Sequence, residues 1–247
     1  ERNTTLGGTA AVFFDDMHPQ GPFKGLGGSR RISAFSANLA QTLSPLTLGT
    51  ITANLIHSSG FLGHPYDPVI TDSGNVLVEN LPDRKTAWAL SGLLIQGFHL
   101  GSKMGSIHLD TRWYADDWKL QSGTADLQWY QYLADGAYVR LRARGYRQGA
   151  AAFARPSYAG NELYRTGDLR YYAFSSLRLG VKIASVFPAG WNESAWLPDR
   201  WDLSYDHGLR STKGDENGVT PAFHAQLFSA EEHYQEKTVM LGLSFDL

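Results

Sequence analysis

A chain of 247 residues with 22 basic and 24 acidic side chains has a formal net charge of -2, which gives no reason to expect nucleic acid as a partner. It holds no cysteine, so disulfides and thiolate metal sites are excluded. No stretch approaches the ~20 apolar residues of a transmembrane helix. Charged residues make up only 19% of the chain, against about 25% in an ordinary soluble protein.

The length suits one large all-β domain spanning 1–247. The chain opens on "ERNTTLGG", without a basic-then-apolar leader and already inside what reads as a strand. Segments 3–16, 31–44, 46–60 and 85–100 are rich in Thr, Ala, Leu, Ile and Phe and alternate loosely. Residues 17–30 and 61–84 read as long connections between them, and 44–46 as a tight Ser-Pro turn.

Beyond a short turn at 101–105 the alternation sharpens. "SIHLDTRWYADDW" sets Ile107, Leu109, Thr111 and Trp113 against His108, Asp110, Arg112, Tyr114 and Asp116. After a short connection near 117–119, "GTADLQWYQYLADG" sets Ala125, Leu127 and Trp129 against Thr124, Asp126, Gln128 and Tyr130, and Asp135-Gly136 is a hairpin signal. The stretch "AYVRLRARGYR" then places Tyr138, Arg140, Arg142, Arg144 and Tyr146 at every second position, with small or apolar residues between. In a strand such residues share one face.

A long connection at 150–167 precedes "DLRYYAFSSLRLGVKIASVF", which reads as one strand. Arg170, Arg178 and Lys182 lie on its polar face. "RWDLSYDHGLR" sets Trp201, Leu203 and Tyr205 against Asp202, Ser204, Asp206 and Arg210. Residues 212–236 read as a long loop, with a short helix expected around Phe223–Tyr234. The chain then ends on "KTVMLGLSFDL", where Val239, Leu241, Leu243, Phe245 and Leu247 alternate to the last residue.

Long connections alternate with short ones except at 117–119, and with an even count of about ten strands and an apolar final strand this predicts an antiparallel up-and-down transmembrane β-barrel. On that reading the lumen is lined by Tyr138, Arg140, Arg142, Arg144, Tyr146, Asp110, Arg112, Asp126, Arg170, Arg178, Lys182, Asp202 and Asp206. Trp113, Trp118, Trp129, Trp201 and Tyr205 would form the aromatic girdle.

The phrases "RNTTL" (2–6), "SSGFLGHPYDPV" (58–69), "DRKTAWAL" (83–90), "HLDTRWYADDW" (108–118) and "LQWYQYLADG" (127–136) resemble a family of bacterial outer-membrane β-barrel proteins known mainly as a domain of unknown function. The resemblance implies fold and location and carries over no catalytic residue. Family members have additional N-terminal sequence, so it also implies that these residues form the C-terminal portion of a larger barrel.

The functional expectation is a passive channel or transport scaffold in a bacterial outer membrane, with both termini periplasmic and with lipid and lipopolysaccharide as partners. An alternative is a filled barrel that anchors or docks an envelope protein through its long loops, its arginines being paired with acids on neighbouring strands. A second alternative is a rim hydrolase built on Asp15-Asp16, Asp116-Asp117 and Asp206-His207, whose carboxylates and imidazole could activate water. The remaining signals are weak. "GLGGS" (25–29) lacks the Lys and Ser/Thr of a phosphate loop. "KGDENG" (213–218) lacks calcium-loop periodicity. His57, His64, His99 and His108 have no zinc-ligand spacing. No cofactor, metal or catalytic residue is expected.

Overall fold

Ten long strands build one antiparallel sheet in which their spatial order follows their order along the chain. They are β1 (Thr4–Met17), β2 (Gly28–Ser44), β3 (Thr47–Gly60), β6 (Arg84–Leu100), β7 (Lys103–Asp116), β8 (Gln121–Ala134), β9 (Ala137–Gln148), β10 (Phe174–Val186), β11 (Arg200–Ser211) and β12 (His233–Ser244). A separate two-stranded ribbon, β4 (Pro68–Ile70) and β5 (Val76–Val78), lies in the connection between β3 and β6. The computed structural model describes residues 3–21, 24–64, 68–155, 157–187, 198–211 and 233–244.

Each long strand pairs with its neighbour in the chain, so register is set locally. The Asp135-Gly136 turn joins β8 to β9, with Gly136 at φ 75°, a left-handed conformation that glycine adopts without strain. Gly60, which ends β3 in the "SSG" phrase, has φ 103°, and a Cβ there would stand 2.2 Å from the Ser29 carbonyl oxygen. Its amide donates to Asp83 O at 2.8 Å, which ties the end of β3 to the start of β6.

The two faces differ in an unusual sense. On β8, Ala125, Leu127 and Trp129 are exposed, whereas Thr124, Gln128 and Tyr130 are half-buried and Asp126 is buried. Leu141, Leu179, Leu203 and Leu241 repeat this exposure on the strands that follow. The polar face is thus the sheltered one. The apolar face is a continuous exposed surface of a kind usually found where a protein makes contact.

At one end of the sheet a cap of two connections adds to this shelter. Residues 61–83 and 149–173 are bridged at Thr71–Tyr158 and Asn80–Arg165. Asn80 and Arg165 exchange backbone hydrogen bonds of 3.0 and 2.9 Å. Beneath them Leu81, Trp118, Leu120, Ala151 and Phe153 form a buried apolar cluster, with Tyr171 packed against it. The Tyr158 hydroxyl donates to Phe153 O at 2.9 Å and accepts from the Thr166 amide at 3.0 Å. Thr166 is fully buried.

Burial pushes the phenols of Tyr114, Tyr171 and Tyr172 well above their ordinary value. A phenol raised in the folded state contributes stability that is complete below its unfolded pKa of about 10 and is lost as pH rises through the folded value. Alkaline titration should therefore show cooperative unfolding above about pH 10, with phenolate absorbance and loss of near-UV circular dichroism rising together. Smooth ionisation with the dichroism intact would contradict this packing.

Several expectations are corrected. Among the described residues β1 pairs only with β2, and β12 only with β11, so the ten-stranded sheet is open. Alternation specifies two unlike faces and antiparallel neighbours. Closure needs the first and last strands to pair, and no pattern within a single strand encodes that. The transmembrane barrel, and the channel that required its closed wall, are therefore withdrawn. The filled-barrel anchor falls for the same reason. Outer-membrane placement with periplasmic termini, and the lipid and lipopolysaccharide partners, were inferred from that barrel and lose their ground with it. No helix among the described residues is long and apolar enough to cross a membrane.

The boundaries also shift. Asp168 accepts a hydrogen bond from the Arg170 amide at 2.8 Å and starts a 3-10 turn, Leu169–Tyr171, so β10 begins only at Phe174. The last strand begins at His233, inside the expected loop. The helix expected around Phe223–Tyr234 and the "KGDENG" phrase lie largely or wholly outside the described residues.

Candidate functional site

The site lies on the sheltered polar face, where β6, β7, β8 and β9 run side by side and the cap closes over one end. Register places Asp126 of β8 directly between Asp110 of β7 and Arg144 of β9. One strand step away, Thr124 stands between Arg112 and Tyr146. These side chains share a face because each strand turns alternate residues the same way.

They surround a cavity of about 850 Å³. Its wall includes Lys85, Asp110, Arg112, Asp126, Arg142, Arg144 and Tyr146, and the cap adds Arg170 and Tyr171. That volume lies within the range of small-molecule sites.

The charges are arranged asymmetrically. Arg142 Nε lies 3.0 Å from both Asp126 carboxylate oxygens, and its Nη2 completes a forked pair. This hydrogen bonding, more than anything else, raises the Arg142 guanidinium above its usual range. Arg144 Nη1 lies 3.9 Å from the same carboxylate. Lys85 Nζ reaches Asp116 Oδ2 at 3.0 Å and lies 4.6 Å from the Trp118 ring and 5.6 Å from that of Tyr171. Arg170 Nε donates to Asp168 at 2.6 Å.

In each pair the acid is recessed and the base is displayed. The Asp126 side chain is 7% exposed against 20% for Arg142 and 47% for Arg144. Asp116 is 0% exposed against 22% for Lys85, and Asp168 8% against 74% for Arg170. Arg112 is exposed and has no ion-pair partner among the described residues. Asp110 is the exposed acid of the wall.

Of the expected lining residues, Asp110, Arg112, Asp126, Arg142, Arg144, Tyr146 and Arg170 meet at this cavity. Arg170 does so from the 3-10 turn rather than from a strand. Tyr138, Arg140, Lys182 and Asp202 lie nearer the other end of the sheet. Arg140 is opposite Lys182, Lys182 pairs with Asp202 at 2.9 Å, and the Tyr138 ring lies 5.7 Å from that of Tyr130. Arg178 pairs with Glu236 at 2.9 Å. Asp206 leans over Gly180, where a Cβ would stand 2.3 Å from its Oδ1, and its charge helps to raise Arg142.

The grouped aromatics separate. Trp113, Trp129 and Tyr205 are exposed, Trp201 is half-buried, and Trp118 is buried in the cap cluster. The acidic pairs of the hydrolase reading do not converge. Asp15 binds Arg30 at 2.6 Å on β1 and β2, and Asp117 accepts from the Thr86 amide at 2.8 Å. Asp116 accepts from the Tyr114 hydroxyl at 2.9 Å and the Leu120 amide at 3.0 Å. Asp206 lies within β11. No group of His, Asp and Glu that could hold a metal occurs among the described residues.

Sequence reasoning missed Lys85 and Tyr171. Both reach the cavity through contacts between the cap and β6 that no local pattern reveals.

The family described as "Protein of unknown function (DUF3570)" matches residues 8–198. The chain belongs to this family. The match takes in every strand that lines the cavity and both connections of the cap. Its description states neither fold, nor location, nor activity. The open sheet overturns the outer-membrane barrel that the resemblance had led us to expect. Comparison with curated proteins and with solved structures gives no match.

Proposed function

We propose that this DUF3570 chain is a binding protein for a small anionic molecule, taken up in the cavity over β6–β9. The observation that carries the reading is the asymmetry of the ion pairs. Buried carboxylates hold Lys85, Arg142 and Arg170 in place while the cationic ends face the cavity, and beside them stand Arg144, 3.9 Å from Asp126, and Arg112, which has no ion-pair partner among the described residues. Guanidinium groups suit carboxylates and phosphates because their planar donors match two oxygens at once. Ser122, Thr124 and Gln128 add neutral hydrogen-bonding groups to the wall. The reading requires no covalent step and no cofactor.

The test is titration calorimetry with two small anions, inorganic phosphate and galacturonate. A hydrogen bond to a charged group contributes ~1.5–3 kcal/mol. Arg112→Ala and Arg144→Ala should therefore each weaken binding by about ten- to a hundredfold. Binding should also weaken with added salt. No heat from either anion, or unchanged affinity in both variants, would remove the proposal.

A further inference from the structure

The seam between β9 and β10 breaks a rule that sheets normally keep. Arg144 stands directly opposite Arg178, and Arg140 directly opposite Lys182. Like charges so placed destabilise a strand pair. The neighbouring acids answer this only in part. Arg178 has Glu236 and Lys182 has Asp202, but Arg144 reaches Asp126 only at 3.9 Å, where Arg142 already holds both oxygens. Arg140 Nε is buried and has no hydrogen-bond partner among the described residues.

A second cavity, of about 250 Å³, lies on the far side of that seam. Arg178, Arg210 and Phe174 contribute to its wall. The Arg210 guanidinium lies 3.8 Å over the Phe174 ring, and Phe174 in turn packs against Tyr146 of the first cavity at 5.1 Å. The facing pair Arg144–Arg178 therefore separates the two cavities.

Resting on the anion-binding reading, we propose that the natural ligand is a short linear oligoanion that crosses the strands from Arg112 through Arg144 and Arg178 to Arg210. These residues lie on β7, β9, β10 and β11. At ~4.8 Å between neighbouring strands, the row spans about 19 Å. A compact single-group anion satisfies one end of it. A chain carrying several negative charges would also offset the repulsion between the opposed cations at the seam.

Tripolyphosphate and trigalacturonate represent the phosphate and carboxylate sources of this chemistry. Calorimetry of the full chain should give at least tenfold tighter binding for one of them than for its monomer, inorganic phosphate or galacturonate. The source that gains identifies the acidic group. Arg178→Gln and Arg210→Gln should cut that advantage at least fivefold and leave the affinity for the monomer unchanged, with circular dichroism confirming the fold. Equal binding of oligomer and monomer, or equal losses for both in the Arg178→Gln variant, would overturn the oligoanion while leaving the anion site standing. No binding of any of the four probes would overturn both.

Discussion

Asp126→Asn is expected to lower the free energy of unfolding by about 2–3 kcal/mol without weakening anion binding. Removing one partner of a buried ion pair leaves the other desolvated and uncompensated, at a cost of ~3–5 kcal/mol when both are fully buried. Asp126 is buried, but the Arg142 side chain keeps some contact with solvent, so the lower figure applies. The substitution removes a recessed negative charge from behind the cavity wall. Arg142 and Arg144 then present more positive potential, so phosphate should bind as well as before or a few-fold tighter. Urea unfolding and calorimetry on the same variant check the two effects. Loss of binding with little change in stability would mean that Asp126 touches the ligand instead of holding the arginines.

Trp118→Ala carries the second large effect, a loss of about 3–5 kcal/mol. Its ring packs against Phe153 and Tyr171, with centroids 5.2 and 5.6 Å away, and its Nε1 donates to Arg84 O at 2.8 Å. Lys85 lies over the same ring. Truncation removes the centre of the cluster that fastens both cap connections to β6. Trp113→Ala, on the exposed apolar face of β7, should cost under about 1 kcal/mol, because that side chain leaves little buried volume behind. Denaturant midpoints for the pair test the contrast. Equal losses would show that the cap is not where stability is concentrated.

Legibility followed the range of the interactions. The alternation in "AYVRLRARGYR" correctly groups Arg142, Arg144 and Tyr146 on one face, because period two is a property of each strand by itself. The Asp135-Gly136 turn and the short turn after Asp116 were likewise readable, since turn chemistry is local. The start of β10 was not. "DLRYYAF" alternates like a strand, yet Asp168 captures the Arg170 amide and bends the chain first. Trp118 looked like its neighbour Trp113 in sequence, and its burial depends on residues 149–173 folding back over it. Openness of the sheet was beyond pattern reading altogether, because edge pairing involves β1 and β12, the two most distant strands in the chain. The cavity was half legible for the same reason. The charged residues of β7, β8 and β9 in its wall were named, whereas Lys85 of β6 and Tyr171 enter only once the cap is in place.

The most direct test of the account is thermal unfolding of the full chain with increasing tripolyphosphate or trigalacturonate, beside an Arg112→Ala/Arg144→Ala double variant. A ligand that binds only the folded state stabilises it by about 2.7 kcal/mol at a hundred times its dissociation constant. Tm should therefore rise steadily with one of these oligoanions in the wild-type chain and stay level in the double variant. A flat Tm in both proteins, or an equal rise in both, would contradict the proposal that the displayed cations over β6–β9 form an anion site.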